Sequence, residues 1–150
     1  DRLRTVTFSR VAATHRLAAW VRLLALAAAH PGRRFEAVTV GRGEDGVAVA
    51  RIPPVPPAEA LAELAALAAL YAEGMREPLP LFCKTSAAFA QHGAQAAAGE
   101  WTSGWSFARE DQDAEHRLVL GGVVAFEALD PRFAQFARRL WDPLLAREQA

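Results

Sequence analysis

Apolar and polar residues alternate at the start of the chain and then recur at a helical spacing. Over residues 3–8, Val6 and Phe8 fall on one side and threonines on the other, which is typical of a short β-strand. Ser9 is placed to cap a helix that runs to about His30, before a Pro-Gly pair. Apolar positions recur along this helix at Val11, Leu17, Trp20, Val21, Leu24 and Ala28.

Two segments rich in β-branched residues, 35–40 and 47–52, come next. They are joined by a glycine-rich turn in which Asp45-Gly46 indicates a hairpin. A stiff proline-rich stretch at residues 53–57 then sets the start of a further helix. We therefore predict a β-hairpin followed by a helix.

That helix is predicted over residues 58–73. Its spacing predicts a buried stripe of Leu61, Leu64, Leu67, Leu70 and Tyr71. The apolar run at residues 78–83 predicts a short buried strand or an extended run, and Thr85 or Ser86 is placed to cap a helix over residues 87–98.

The last third of the chain starts with a tryptophan-containing stretch and an acidic segment. The run LVLGGVVAF is consistent with a strand interrupted by two glycines. Asp130-Pro131 opens a final helix with one apolar face, formed by Phe133, Phe136, Ala137, Leu140, Trp141 and Leu144. The order β, α, β, β, α, β, α predicts one mixed α/β (α+β) domain over residues 1–150, with a mixed sheet flanked by helices.

This order of elements is also found in the core of restriction-endonuclease-like nucleases, the PD-(D/E)xK group. In that group one strand carries an aspartate and the next an acid-x-lysine pair, which hold Mg²⁺ and steady charge on phosphate. Here the strand at residues 35–40 offers only Glu36, and VAVARI at residues 47–52 offers no acid and no lysine. No paired carboxylates are present to hold the metal, so we expect no catalytic residues, metal ligands or cofactor even if the chain has this fold.

Charge is spread unevenly, although the formal net charge is zero. Residues 1–34 carry seven arginines and one acid, so the start of the chain is basic. Arg33 and Arg34 flank the predicted hairpin. Such a basic segment suits nucleic acid or an acidic partner. Alternatively, its arginines pair with acids elsewhere on a solvated helix face.

Several acids cluster beside His116, namely Glu110, Asp111, Asp113 and Glu115. Their oxygens suit a hard cation, but the segment lacks the glycine and the distant glutamate of an EF-hand. A solvated acidic loop or an anchor for partner arginines is favoured instead. The single cysteine, Cys83, excludes an internal disulfide and fits a reducing cytoplasm. No apolar run is long enough to span a membrane.

Several segments together resemble the C-terminal domain family of RecC, the gamma subunit of bacterial exodeoxyribonuclease V. The order and spacing of these segments carry the resemblance. The run REPLPLFCKTSAAFA and the residues before it match the family at Gly74, Met75, Arg76, Pro78, Leu79, Pro80, Lys84 and Thr85. HRLAAWVRLLALAAAHP is similar to a family helix with a central tryptophan, and FARRLWDPLLA to the last helix. REDQDAEHRLVLGG resembles a Gly-Glu-x-x-Asp segment, although Arg109 replaces the glycine. The arginine-rich and alanine-rich composition suits an actinobacterial version.

The resemblance implies a restriction-endonuclease-like fold, that of an inactivated PD-(D/E)xK nuclease. It also implies a domain of a longer subunit in a RecBCD-type helicase–nuclease, which processes double-strand breaks for homologous recombination. By itself such a domain is not an enzyme; it serves subunit assembly and duplex splitting. Its implied partners are the other subunits, double-stranded DNA ends and single-stranded DNA. The candidate binding residues are Arg33, Arg34, Lys84, Trp101 and Trp105.

Each candidate also has an ordinary structural interpretation. Lys84 lies near a predicted helix start that suits phosphate or carboxylate, or it pairs with a local acid. Trp101 and Trp105 stack on bases or simply pack. Two other functions stay open: a metal-dependent nuclease using Glu36, Asp45 and the acids of 110–115, and a free-standing protein-interaction module.

Overall fold

A mixed three-stranded sheet lies in the first half of the chain. The structure is a computed structural model that describes residues 1–43 and 45–149. Its strands are β1 (Arg2–Arg10), β2 (Glu36–Arg42) and β3 (Val47–Ile52), in the order β1-β2-β3. β1 runs parallel to β2, and β2 runs antiparallel to β3. The predicted hairpin and the mixed α/β class are confirmed. Glu44, in the same turn, lies outside the described residues.

Helix α1 (Ala13–Ala29) connects the two parallel strands and packs against the sheet. It buries Trp20, Leu23 and Leu24 almost completely. Gly41 of β2 is required by close packing, because a Cβ atom there would lie 2.7 Å from the Thr7 side chain.

The predicted start of α1 is wrong. Ser9 belongs to β1, and the helix begins after Ala12. His15 replaces the expected serine cap: its Nδ1 accepts a hydrogen bond from the Ala12 N–H at 3.1 Å. The strand is longer than predicted because β1 continues to pair with β2 after a register shift that ends at Arg10.

Helix α2 (Pro57–Gly74) lies where it was predicted, but only part of its predicted stripe is buried. Leu70 is buried, whereas Leu61 is 64% exposed and Tyr71 is 71% exposed. Alanines surround the helix on several sides, so the leucine spacing does not identify the covered side.

Neither segment after α2 that the sequence offered as a possible strand forms one in the described residues. Residues 78–82 are extended but pair with no strand, and α3 (Cys83–His92) begins directly after them. The helix predicted over residues 87–98 is two helices, since Gly93 takes a positive φ of 84° between α3 and α4 (Ala94–Trp101). Thr85 and Ser86 therefore lie inside α3 rather than capping it.

LVLGGVVAF is likewise not a strand. It begins in α5 (Ala114–Leu120), which ends where Gly121 adopts a left-handed conformation. A short 3-10 turn, Phe126–Ala128, follows. The final helix α6 (Phe133–Leu145) buries most of its predicted face: Phe133, Phe136, Ala137, Trp141 and Leu144 are at most 5% exposed.

The chain contains two compact units. The first comprises Asp1–Ala72 and the residues from Pro143 onward, and the second comprises Glu73–Asp142. The core of the second unit contains Phe82, Ala97, Trp101, Phe133 and Ala137. Within the described residues, no helix combines the length and the apolar character that crossing a bilayer requires.

Candidate functional site

The start of α3 is closed by a buried carboxylate of the same unit. Glu110 is 3% exposed. Its Oε1 accepts a hydrogen bond from the Lys84 N–H at 2.9 Å, and its Oε2 accepts one from the Thr85 N–H at 2.8 Å. The first N–H groups of a helix lack internal partners and carry partial positive charge, so a carboxylate is well placed there. Glu110 therefore supplies a carboxylate at the position that was predicted to suit phosphate or carboxylate.

Lys84 itself remains available at the surface. Its side chain is exposed, and it forms no ion pair with any residue in the described part of the chain. The local acid expected to pair with it binds its backbone N–H instead of its ammonium group. Next to it, burial and the nearby Glu110 raise the pKa of the Cys83 thiol above its ordinary value.

A second buried carboxylate fixes the loop at residues 102–109. Asp111 is 7% exposed and accepts hydrogen bonds from the N–H of Ser103, at 3.1 Å, and from its hydroxyl. The same hydroxyl oxygen accepts a hydrogen bond from the Arg109 N–H at 2.7 Å. These bonds hold both ends of the loop together.

The loop presents aromatic side chains to solvent. Trp105 is fully exposed, and Phe107 is 56% exposed. The Arg109 guanidinium lies 4.9 Å from the centroid of the Phe107 ring and pairs with Glu100 at 3.1 Å. An exposed indole on a loop with fixed ends is suited to stacking on a flat ligand.

Trp101 has the opposite environment, and its predicted contact with DNA bases is not supported. It is 1% exposed, its ring centroid lies 4.4 Å from that of Phe82, and its Nε1–H donates to the Val124 carbonyl at 2.8 Å. A ring enclosed in this way cannot reach a base. The environment of Trp101 fits the alternative interpretation, in which its ring packs in the core.

The acids of residues 110–115 do not converge. Asp113 and Glu115 are exposed, whereas Glu110 and Asp111 bind backbone N–H groups. The Nδ1 atom of His116 lies 2.8 Å from the Glu110 carbonyl oxygen. No group of three or more His, Cys, Asp or Glu side chains in residues 1–43 and 45–149 is placed to hold a metal ion.

The predicted arginines of the first unit lie at one end of the sheet. Arg33 pairs with Asp1 at 2.8 Å, and its guanidinium lies 5.2 Å from the centroid of the Phe35 ring. Arg34 is exposed and lines a shallow groove, whose other walls are Asp1, Arg2, Arg4, Glu36 and Pro54.

Glu36, the only acid of strand β2, is held by an arginine. Arg2 Nε donates to Glu36 Oε1 at 2.6 Å, and this hydrogen bond lowers the pKa of the Glu36 carboxyl. Asp45 is exposed in the hairpin turn. The neighbouring strand β3 supplies no carboxylate.

The structural role of Glu110 was missed from the sequence. Its partners, Lys84 and Thr85, lie 26 and 25 residues away along the chain. No local pattern indicates such a contact, so the segment looked like a solvated loop.

Comparison with known proteins gives one consistent family. A family model described as the RecC C-terminal domain matches residues 1–94. RecBCD enzyme subunit RecC from two strains of Mycobacterium tuberculosis is 38% identical over 96% of the chain. The RecC subunit of Mycolicibacterium smegmatis is 38% identical over 61% of it. The chain spans only 15% of the length of the M. tuberculosis relatives and 8% of that of the M. smegmatis relative.

Proposed function

The chain belongs to the RecC C-terminal domain family, and we propose that it is a non-catalytic domain of a RecBCD-type helicase–nuclease. In this proposal it contributes to assembly with the other subunits and to splitting and handling the DNA duplex during double-strand break repair by homologous recombination. The relatives are named as subunits of the RecBCD enzyme, which supports the assembly role.

The proposal includes an inactivated PD-(D/E)xK nuclease-like fold. The order β1-α1-β2-β3-α2 and the mixed sheet are compatible with it. The strands that would carry metal ligands offer Glu36, which Arg2 engages, and no other acid. We also propose that residues 1–150 form one domain of a longer subunit. In support, the boundaries between the two compact units fall inside helices α2 and α6.

The main support for the proposal is the contrast between buried acids and exposed candidate binding residues in the second unit. Glu110 and Asp111 are buried on backbone N–H groups, so they are committed to the fold. Lys84 and Trp105 are exposed instead. Two acids that hold the chain together, with an exposed lysine and an exposed indole in the same unit, suit contact with nucleic acid better than hydrolysis of it.

The DNA-handling role is tested in the assembled complex with full-length subunit. Replacing Arg33, Arg34 and Lys84 together by alanine should weaken binding to a duplex end with a single-stranded tail about 10-fold at moderate salt, because phosphate contacts are lost. The slope of log Kd against log salt concentration should fall by about one for each phosphate contact removed. Arg22→Ala, on the exposed side of α1, is the matched control. Unaltered DNA binding by the triple variant would remove the proposed role.

The nuclease alternative is tested by nicking of supercoiled plasmid in Mg²⁺. We expect the subunit without its partners to show no cleavage that depends on Asp111 or Asp113. Cleavage that disappears in the Asp113→Asn variant, whose carboxylate is exposed and outside the core, would favour the enzyme instead.

A further inference from the structure

One face of the sheet remains open to solvent and has an apolar centre. The register of the strands aligns Val6, Val40 and Val49 in a row across β1, β2 and β3. Val6 is 66% exposed and Val49 is 44% exposed, while Phe8, further along β1, is completely exposed. Soluble proteins expose contiguous apolar patches mainly where something binds.

Arginines flank this valine row on both sides. Arg4 and Arg51 are both in register with Val38 on one side, and Arg10 pairs with Arg42 on the other. All four are exposed, and none forms an ion pair with a residue in the described ranges. We refer to these residues together as the open face: Arg4, Val6, Phe8, Arg10, Val40, Arg42, Val49 and Arg51.

The open face is almost purely basic. Glu36 is the only acid on the described strands, and Arg2 already neutralises it. Four arginines that form no ion pair among the described residues lie around an apolar row. They favour an occupant that is negatively charged at its edges and apolar at its centre.

We propose that the open face binds an amphipathic helix with acidic residues, contributed by another subunit of the complex. This inference rests on the proposed assembly role and names the surface used for it. Along β2, Arg42 lies four positions after Val38, a distance of about 13 Å. A helix aligned with the strands rises about 12 Å over eight residues. Acids roughly two turns apart would therefore meet the two arginine rows, with apolar residues between them over the valines.

Single-stranded DNA fits this surface less well. Sheets that bind single-stranded nucleic acid use successive aromatic side chains as stacking platforms. The open face has one aromatic residue, Phe8, among aliphatic valines. An occupant on a separate chain is favoured over a tethered segment because charge complementarity chiefly speeds the encounter of separate molecules. Arginine is also enriched in interfaces between chains.

The test measures association of full-length subunit with the immobilised remaining subunits of the complex. One variant carries Arg4→Glu and Arg51→Glu, and a second carries Val6→Ser and Val49→Ser. Arg22→Glu, an exposed arginine on α1, is the matched control. We expect Kd to rise at least about 10-fold for both face variants and to stay unchanged for the control. A photo-crosslinker at position 8 should mark a helix with acids about eight residues apart.

Each other outcome overturns the inference. If the subunits associate and both face variants behave like wild type, the open face is not used, while the proposed function stands. If the wild-type subunit does not associate, the proposed function fails as well. Loss of binding to oligo-dT in a Phe8→Ser variant, with association intact, would identify a nucleic-acid surface. Loss of self-association in the valine variant would identify a second copy as the occupant.

Discussion

Two charged regions of this chain use their charges in opposite ways. Glu110 at the start of α3 and Asp111 beside the loop at residues 102–109 are buried, and every carboxylate contact described for them is made to a backbone N–H or to the Ser103 hydroxyl. On the open face, arginines such as Arg4 and Arg51 are exposed and form no ion pair within the described residues.

The difference shows that the density of charge in a sequence does not indicate function by itself. In the sequence, the acidic segment looks more like a reactive or metal-binding site than the arginines do. Its buried members, however, accept hydrogen bonds from helix and loop N–H groups, which would cost free energy if they were left unpaired. The arginines are scattered over three strands, and only the sheet register brings them together. Charges without partners are the ones left to bind another molecule.

The largest expected effect is at Glu110. Changing it to alanine removes two hydrogen bonds to a charged acceptor and exposes the α3 donors, so we expect a loss of about 2–4 kcal/mol in the free energy of unfolding. Urea unfolding followed by tryptophan fluorescence measures it. Glu115→Ala, an exposed acid on the neighbouring helix, should change stability by less than about 0.5 kcal/mol. Equal effects of the two changes would contradict the structural role of Glu110.

Asp111→Asn should have a smaller effect, of about 1–3 kcal/mol, because the amide keeps the size of the side chain but alters its bonds to Ser103. The loop at residues 102–109 should loosen. Faster hydrogen exchange of the Ser103 and Arg109 amides would report this. If exchange there matches wild type, Asp111 does not fix the loop.

Cys83 tests the burial of the α3 start in another way. Its raised pKa means that less thiolate is present at any pH below that pKa, so the thiol should react with iodoacetamide several-fold more slowly at pH 8 than a free cysteine. The reaction should accelerate in the Glu110→Ala variant, which removes the neighbouring negative charge. A wild-type rate equal to that of a model thiol would argue against the described environment.

The smallest effect on stability is expected on the open face. Arg51→Ala and Arg4→Ala should leave the urea midpoint almost unchanged, since neither side chain has an ion-pair partner among the described residues. A loss above about 1 kcal/mol would mean that these arginines support the fold, and the contrast with Glu110 would disappear.

Elements defined by local chemistry were predictable from the sequence. The hairpin follows from the Asp45-Gly46 turn, and the buried face of α6 follows from aromatic residues at helical spacing. Elements that depend on distant partners were not. The apolar run at residues 78–82 has strand character but no strand beside it, and the leucine spacing of α2 does not show which side is covered.

For the candidate binding residues, too, features that depend on distant contacts could not be predicted from the sequence. Trp101 and Trp105 stand four residues apart in similar sequence surroundings, yet one is 1% exposed and the other is fully exposed. What separates them is the bond network of Asp111 and Ser103, which folds the loop outward after α4. Single-residue patterns do not encode such a contact, so the sequence could name both tryptophans but could not choose between them.

The most direct test of this contrast is hydrogen exchange, measured by mass spectrometry on full-length subunit alone and on the complex assembled with its partners and a DNA end. We predict that assembly slows exchange in peptides covering β1, β3 and the loop at residues 102–109. The amides of Lys84 and Thr85, already bound to Glu110, should exchange slowly in both states. Unchanged exchange in the strands together with new protection at the start of α3 would contradict the account.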